Sequence, residues 1–390
     1  MNLSWGNWDV RVYAAEAWLS LAPRFAAEHP HIVDMLESMV ADPVPQVRLQ
    51  VARSLQVISD AAPERMWAIA YRVAAEEQHD GVLASFLVSF LRKFTWQDPD
   101  HCEAIVEIVR ARLPIVPVDP SSSRDGVQSA LGGFVAQLWA GQGRPAARVW
   151  LEAWSADPIT YGNLLDSYSS QLRGAFFHRY DGSKEDDASA MTDRAQEGLD
   201  MILSAATRVS AEHYAIAMDE SAGADDRKAA GQAYQMAERV THHAMNQLYF
   251  GSGAHANEQN PALGLPTHAA MARFLTDYAA ILELLAVSGY PATVHHLIEL
   301  YEYLIPGAPS AVFDAIHSVL LGSAAREGYH HESLGNSAVV RLIRRYIADY
   351  RSIFEDQARR THLVEILQLF SDVGWAEALK LLYDLPDLLR

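Results

Sequence analysis

Apolar residues near the start of the chain recur with the spacing of one helix face, and the same arrangement returns twice. The three segments begin at Val10, Val47 and Val82, so they follow one another at offsets of 37 and 35 residues. In each segment apolar residues occupy positions i, i+4, i+5 and i+8, which lie on one side of an α-helix. The matched residues after each starting valine are Ala14, Ala15, Trp18; Val51, Ala52, Leu55; and Phe86, Leu87, Phe90. The pattern predicts three equivalent helices.

A second helical stretch separates each of these segments from the next. Amphipathic stretches cover 31–40 and 63–76, and 101–113 begins a fourth pair. Two helices repeated at a fixed period are typical of helical repeat proteins, in which each unit buries an apolar face on its neighbour. Only eight residues precede Asp9, too few for another helix. We therefore expect either a piece of a longer protein or a chain whose N-terminal face docks on a partner.

The turn before the second segment has a sequence that ends one helix and starts another. It reads DPVPQVR, from Asp42 to Arg48. Asp42 can cap, the prolines prevent the first helix from continuing, and Pro45 suits the first turn of the next one. This turn resembles the one between the two helices of a HEAT repeat, where an Asp-Pro turn precedes a Val-Arg start of the inner helix. The resemblance covers 1–113 and implies a HEAT-like α-solenoid whose first repeat lacks its outer helix.

After 113 the repeat loses its regularity, although helices continue. Residues 114–126 are rich in proline and serine and have no helical period, which predicts a linker. Helices are expected afterwards over 127–140, 145–156, 159–178, 190–218, 226–250, 267–288, 291–305, 309–327, 334–357, 359–371 and 374–383. The predicted fold is therefore all-α: a HEAT-like helical-repeat solenoid over 1–113 that continues into a larger irregular α-helical domain over 127–390.

Composition and charge exclude several classes of protein. The 390 residues are 50% hydrophobic and carry a formal net charge of −18. The chain can therefore build a core, and nucleic acid is not an expected partner because binding its backbone needs positive faces. The single cysteine, Cys102, excludes a disulfide framework and a zinc site of two or more thiolates within the chain. The start has no signal-peptide pattern, and the longest apolar stretch, 82–91, is too short to span a bilayer. We expect a cytoplasmic protein without a membrane partner.

Histidines are the first candidates for chemistry, because the chain holds 16 of them and three pairs are adjacent. His242 and His243 lie on one predicted helix and His295 on another, where Glu299 follows at an i+4 spacing that suits metal chelation. Together these four could form a carboxylate–imidazole site between facing helices. The sequence has no HExxH motif and no phosphate-binding glycine loop, and the doublets lie on polar helix faces. We therefore expect no metal, no cofactor and no catalytic residue, with the metal site as an alternative.

Arginines are the second candidate, because they form a stripe near the C-terminus. On a helical wheel of 336–357 the apolar residues fill one broad arc. The opposite arc and the residues that follow it carry the basic side chains Arg341, Arg344, Arg345, Arg351, Arg359 and Arg360. This arginine stripe could bind an acidic partner, a phosphate or nucleic acid. Asp349 lies four residues after Arg345 and Glu355 four after Arg351, so the stripe could equally be a solvated face of ion pairs.

These features predict a non-catalytic scaffold or recognition platform for a protein partner, because stacked helix pairs offer extended concave surfaces. The composition and the start within a repeat also resemble the helical C-terminal parts of large bacterial multidomain proteins, including signalling and phage-defence NTPases. That resemblance implies an upstream domain of the same polypeptide as a partner. Two alternatives stay open: a helical metal-dependent enzyme that uses the second half, and a nucleic-acid-binding helical solenoid that uses the arginine stripe.

Overall fold

The computed structural model describes residues 10–112, 126–180, 186–259, 264–326 and 328–389. Over these ranges the backbone is helical apart from turns and short connections and contains no strand, so the predicted all-α fold is confirmed. The chain divides into two compact units, Met1–Leu151 and Glu152–Arg390. The predicted linker, 114–126, lies outside the described residues except for Gly126, and the predicted domain boundaries stay a prediction. No described helix combines the length and the apolar character needed to cross a bilayer.

The helices of the first unit pack in two rows. They are α1 (Val10–Phe25), α2 (His31–Met39), α3 (Pro45–Ala52), α4 (Pro63–Glu76), α5 (Asp80–Ser85), α6 (Arg92–Phe94), α7 (Pro99–Arg112), α8 (Gly126–Ala136) and α9 (Pro145–Ser155), within which the unit ends. One row consists of α1, α3, α5 and α8, each packed on the next. In the other row α4 packs on α7, and Arg65 of α4 pairs with Asp34 and Glu37 of α2. Each helix therefore buries its apolar face mainly on helices that are close in the chain.

The repeat positions predicted from the sequence are mostly buried, but the second helix is shorter than expected. Of the nine matched positions, all but Ala14 and Trp18 are buried. The helix expected to carry Leu55 ends at Ala52, and Leu55 begins a 3-10 helix instead. The interruption lies at Ser54, whose φ of −123° and ψ of 11° are not helical. Serine competes for backbone hydrogen bonds and so weakens a helix interior.

The third segment departs from a regular α-helix in another way. After Ser85 the chain makes a π-helical turn, Phe86–Leu91, before α6. The ring of Phe90 lies 5.4 Å from that of Phe86, 5.2 Å from that of Phe94 and 5.9 Å from that of Trp67 on α4. The wider π turn therefore accompanies a cluster of buried aromatic rings.

The turn between α2 and α3 is closed by the residues that the sequence singled out. Asp42 Oδ1 accepts a hydrogen bond from the backbone N–H of Val44 at 2.7 Å. Pro45 occupies the first turn of α3, where a missing N–H costs nothing. Arg48 donates from Nη1 to the carbonyl oxygen of Asp42 at 2.8 Å. The side chains of this turn thus account for both the end of α2 and the start of α3.

Glu77, just after α4, gathers hydrogen bonds from three parts of the first unit. Its two carboxylate oxygens accept from Nε and Nη2 of Arg48 at 2.7 and 2.8 Å. One of them also accepts from the backbone N–H of His79 at 2.7 Å, and the Glu77 carbonyl accepts from Arg112 on α7. Burial opposes ionisation of Glu77, but the bonds from Arg48 and His79 outweigh it, so the pKa of Glu77 is lowered. The carboxylate of Glu77 thus links the end of α4 to α3, and its backbone carbonyl links the same point to α7.

The second unit is built around a hairpin of two long helices. Its helices are α10 (Pro158–Gln171), α11 (Asp186–Met218), α12 (Ala224–Ser252), α13 (His268–Asp277), α14 (Ala279–Ala286), α15 (Pro291–Leu304), α16 (Pro309–Leu321), α17 (Ser323–Arg326), α18 (Ser333–Asp349), α19 (Gln357–Asp372) and α20 (Ala376–Leu388). Helix α11 packs along α12, and both α10 and α15 pack on α12. From α15 the packing continues to α18 and α20, while α16 packs on α19. Helix α15 thus contacts α12, α16 and α18.

Two helices predicted as continuous are interrupted by tertiary contacts. The helix expected over 267–288 breaks at Tyr278, whose buried hydroxyl donates to the carbonyl oxygen of Phe176 at 3.0 Å. The helix expected over 334–357 ends at Asp349, and a 3-10 helix, Arg351–Glu355, follows. That change of direction accompanies edge-to-face packing of Phe354 on Phe313, with ring centroids 5.1 Å apart.

Replacement of Leu55 by alanine tests the packing of the first unit. Leu55→Ala should lower the free energy of unfolding by roughly 2–5 kcal/mol, because the side chain is fully enclosed and its loss leaves a cavity. Chemical denaturation followed by circular dichroism measures the change. Val149→Ala, at an exposed position of α9, is the control and should leave stability almost unchanged. An equally small effect of Leu55→Ala would contradict the described packing.

Replacement of Glu77 tests its pairing with Arg48. Glu77→Gln should destabilise the protein by about 3 kcal/mol at pH 7, because it leaves a largely buried guanidinium without its counter-charge. The lowered pKa of Glu77 means that this contribution is present above its unfolded pKa and is lost as the pH falls through the folded pKa. The difference between variant and wild type should therefore shrink in acid. Glu76→Gln, which removes an exposed pair with Arg72, is the matched control. A stability difference between Glu77→Gln and the wild type that stays constant from pH 7 to pH 3 would refute the assignment.

Candidate functional site

Two residues of the predicted arginine stripe are engaged by a carboxylate of the neighbouring helix. Arg341 of α18 donates to both carboxylate oxygens of Glu302 on α15, at 2.7 to 3.1 Å. One turn later, Arg345 donates from Nη1 to the carbonyl oxygen of Glu302 at 2.8 Å. Glu302 itself is buried. These two arginines therefore hold α18 against α15.

The remaining residues of the stripe divide between another interhelix pair and solvent. Arg359 of α19 pairs with Asp314 of α16 at 2.9 Å. Arg344, Arg351 and Arg360 are exposed. Within the described ranges, the guanidinium groups of Arg344 and Arg351 have no ion-pair partner. The surface that the stripe offers to a partner is therefore smaller than the sequence indicated.

The i, i+4 ion pairs considered for this face do not form among the described residues. Arg345 turns toward Glu302 rather than toward Asp349. Arg351 and Glu355 lie in the 3-10 helix that follows α18. In a 3-10 helix residues three apart share a face, so a pair four apart is no longer aligned. The wheel drawn for a single helix over 336–357 is wrong beyond Asp349 for this reason.

The histidine-bearing helices α12 and α15 pack against each other, and their aromatic rings stack. His296 lies in the middle, with its ring centroid 4.3 Å from that of Tyr249 and 5.5 Å from that of His242. His296 Nδ1 is 2.7 Å from the side-chain oxygen of Asn246, and His242 Nδ1 is 3.3 Å from the hydroxyl of Thr293. The sequence did not identify Tyr249 or Asn246, because nothing in their spacing indicates a partner 50 residues away.

Glu299 connects this ring stack to the arginine stripe. Tyr249 donates its hydroxyl to Glu299 Oε2 at 2.6 Å. His295 Nε2 and Arg341 Nη2 each lie 3.7 Å from Glu299 Oε1, and His295 Nδ1 is 3.0 Å from the hydroxyl of Tyr329. The two candidates that the sequence treats separately, histidine doublets and arginine stripe, therefore meet in one polar network between α12, α15 and α18.

The four residues considered as metal ligands do not converge on one point. His243 faces α10, where its Nε2 lies 3.6 Å from Asp166. Glu238, one turn before His242, is buried and accepts hydrogen bonds from the hydroxyls of Ser210 and Ser288. In the described part of the chain, a set of three His, Cys, Asp or Glu donor atoms close enough for one ion is found only elsewhere, between α16 and α19.

The protonation states of the ring stack favour a packing role over acid–base chemistry. Burial, and to a lesser extent the proximity of His296, lowers the pKa of His242 to about 4. Burial also lowers the pKa of His296. Burial and the bond to Glu299 raise the pKa of Tyr249. At pH 7 the two imidazoles are neutral and the phenol is protonated, whereas a general acid or base works best with a pKa near the operating pH.

Cys102, the single thiol, is likewise held in its unreactive form. It is buried on α7, and its Sγ lies 3.6 Å from the carbonyl oxygen of Leu91. Burial raises the pKa of the thiol to about 12. Because the thiolate is the nucleophilic form, this cysteine packs as a small apolar side chain at neutral pH.

Helix α1 is apolar on two faces. Its buried face consists of Val12, Ala15, Leu19 and Ala22. On the other side Val10 is 80% exposed, Tyr13 50%, and Leu21 and Phe25 42% each. At 100° per residue these four side chains fall within one arc of the helix. Arg24 is exposed within the same arc, so this second face is apolar with one basic side chain in it.

One cluster of potential ligands was missed by the sequence analysis. His317 Nε2 on α16 lies 2.7 Å from Glu365 Oε2 on α19. The rings of His317 and His362 stack with centroids 3.8 Å apart and planes 11° apart. His362 and Glu365 are one helical turn apart, which is visible in the sequence. His317 lies far from both along the chain, and only the packing of α16 on α19 brings it to them.

Comparison with protein-family models and with curated proteins finds no match for this chain.

The pKa of His242 leads to a prediction for the pH dependence of stability. Its folded-state pKa of about 4 lies below the unfolded value of about 6.5, so the unfolded chain takes up a proton first as the pH falls. The stability that depends on the neutral ring is complete above about pH 6.5 and is lost toward pH 4. His242→Gln does not titrate and should lose less stability than the wild type between pH 7 and pH 4.5, by on the order of 2 kcal/mol. Denaturation at both pH values measures this; His268→Gln, at an exposed position, should behave as the wild type, and so would His242→Gln if the assignment is wrong.

Proposed function

We propose that this protein is a non-catalytic scaffold that binds a protein partner, or another domain of the same polypeptide, through the exposed apolar face of α1. The observation that carries this proposal is the second apolar face itself, formed by Val10, Tyr13, Leu21 and Phe25. Apolar surface in water is unfavourable, and contiguous patches of it mark interaction sites. Burial of this face on a partner removes that cost.

We further infer that 1–113 is a HEAT-like array, which explains why such a face occurs on α1. Support comes from the row of α1, α3, α5 and α8, from the second row beside it, and from the turn that Asp42 and Arg48 close. In arrays of this kind each helix pair packs on its neighbours through apolar faces. The second face of α1 has the composition of such a packing surface and is exposed.

The charge distribution favours a protein over nucleic acid as the partner. The net charge is −18, and Arg341, Arg345 and Arg359 are engaged by groups of neighbouring helices. A nucleic-acid backbone needs several unengaged cations on one face. The exposed part of the stripe is a smaller surface for an acidic protein segment and consists of Arg344, Arg351 and Arg360. The stripe is therefore the second docking candidate, after the α1 face.

The described contacts also favour a scaffold over a metal-dependent enzyme of the second half. His242 and His296 are neutral stacked rings, and His243 is directed toward Asp166 instead of toward them. Glu299 accepts from Tyr249. Groups arranged in this way stabilise the packing of α12 on α15, and they do not surround a position where a substrate atom could react.

Charge introduced on the α1 face should abolish binding. Leu21→Glu combined with Phe25→Glu places two carboxylates in an apolar interface, where burying an unpaired charge costs several kcal/mol. We expect partners cross-linked to the wild-type protein in its native cells to be absent for this double variant, as read by mass spectrometry. Because both side chains are already partly exposed, circular dichroism and the melting temperature should stay unchanged.

Two further double variants identify the surface responsible. Leu379→Glu with Tyr383→Glu alters exposed apolar residues of α20 and should retain every partner. Arg344→Glu with Arg360→Glu tests the exposed part of the arginine stripe. If only the stripe variant loses its partners, the arginine stripe and not the α1 face is the binding surface. An identical set of partners for the α1 variant and the wild type would reject the proposal.

A further inference from the structure

The cluster of His317, His362 and Glu365 lies on the facing sides of α16 and α19, apart from the polar network of α12 and α15. One donor atom from each of the three side chains lies within 4.8 Å of the others. We propose that these residues form a binding site for a divalent transition-metal ion such as Zn²⁺. This site is independent of the α1 face, and it departs from the metal-free chain expected from the sequence.

The ligand set suits such an ion. Two imidazole nitrogens and one carboxylate oxygen form a common three-residue set for zinc and related metals, which leaves a further position for water or another ligand. Zinc bonds of about 2.0–2.2 Å place tetrahedral ligand atoms roughly 3.3 Å apart. Nε2 of His317 and Oε2 of Glu365 are already 2.7 Å apart. The ion therefore takes the place of that hydrogen bond, and these two atoms move apart by about 0.6 Å to reach the spacing of tetrahedral ligands.

The side chains have room for this movement. His317 is 17% exposed, His362 32% and Glu365 47%, so the site opens to solvent on one side. The two rings stack almost in parallel, and each must turn out of the stack until a ring nitrogen points at the ion. Each histidine binds a metal as a neutral ring, through a ring nitrogen that carries no proton.

A second observation concerns the ring of His362. Its Nδ1 is buried and has no hydrogen-bond partner within the described residues. The nearest carboxylate oxygen is Oδ1 of Asp314, at 3.9 Å. A histidine that binds a metal through one nitrogen normally donates from the other to a carboxylate, which fixes the orientation of the ring. With Nε2 on the ion, a small turn of His362 brings its Nδ1–H to Asp314.

Asp314 is itself held in place by hydrogen bonds from Arg359. Arg359 donates from Nε and Nη2 to its two carboxylate oxygens, at 2.9 to 3.2 Å. Asp314 precedes His317 by less than one turn on α16, and Arg359 precedes His362 by less than one turn on α19. The carboxylate is therefore a positioning residue, and the metal site would link the same two helices that the Arg359–Asp314 pair already links.

Calorimetric titration of the full chain with ZnCl₂ tests the site. The wild type should bind one ion per chain at this site, and Co²⁺ in place of Zn²⁺ should show the visible absorption of a four-coordinate complex. His317→Ala and Glu365→Gln should each weaken binding at least about 10-fold, since even residues that only orient a ligand contribute 10–100-fold. Asp314→Asn should weaken zinc binding by a factor within that 10–100-fold range, and the Co²⁺ complex of this variant should keep its visible absorption.

Matched variants separate this site from the other histidines. His295→Ala, in the polar network of α12 and α15, and His330→Ala, in a histidine doublet, should leave zinc affinity unchanged. Glu365→Gln keeps the size and the hydrogen-bonding capacity of a half-exposed side chain, so it provides a folded variant if His317→Ala proves unstable. Wild-type affinity in Glu365→Gln, or loss of affinity in His295→Ala instead, would overturn the proposal. A wild-type chain that binds no zinc would do the same.

Discussion

The packing of this protein depends on arginine–carboxylate pairs that cross from one helix to the next. Arg48 with Glu77 joins α3 to the end of α4, and comparable pairs are found in both units. A guanidinium offers a planar fork of donors that matches a carboxylate, which an ammonium group cannot do. Only four of the 31 basic residues are lysines. The predominance of arginine in this chain thus has a structural use, because these pairs join neighbouring helices through two hydrogen bonds to one carboxylate.

The same pairing decides which charges are left for partners. Arg341 and Arg359 pair with Glu302 and Asp314 across helix boundaries, and the chain as a whole carries a net charge of −18. A net negative charge of this size repels polyanions. Exposed apolar residues remain on several helices, among them Val10 of α1 and Tyr383 of α20.

Much of the fold could be predicted from the sequence, because helix periodicity and proline positions are local signals. The helix expected over 291–305, for example, is observed as Pro291–Leu304. The errors fall where a distant residue decides the local backbone. Tyr278 ends α13 while its hydroxyl reaches the carbonyl of Phe176, and the chain after Asp349 turns where Phe354 packs on Phe313. No window of sequence contains both partners of either contact.

The candidate sites show the same limit. The sequence placed His295 and Glu299 one turn apart, which is correct. It could not show that Tyr249 donates a hydrogen bond to Glu299 or that His243 faces Asp166. For the cluster on α16 and α19, the spacing of His362 and Glu365 was visible, while His317 needed the packing of two helices. Pairs within a helical turn can be found from the sequence, and a third group on another helix cannot.

The position of α1 has a consequence for how the first unit opens. Its helices pack mainly on helices close to them in the chain, and among the described residues α1 has one neighbour in its row whereas α3 has two. Local unfolding is expected first where a helix has the fewest packing neighbours. Amide hydrogens of α1 should then exchange with solvent sooner than those of α3, and those of α3 sooner than those of α5. A partner bound to α1 would slow amide exchange most in α1 and less in α3 and α5. Binding would therefore be detected as exchange protection that decreases from α1 to α5.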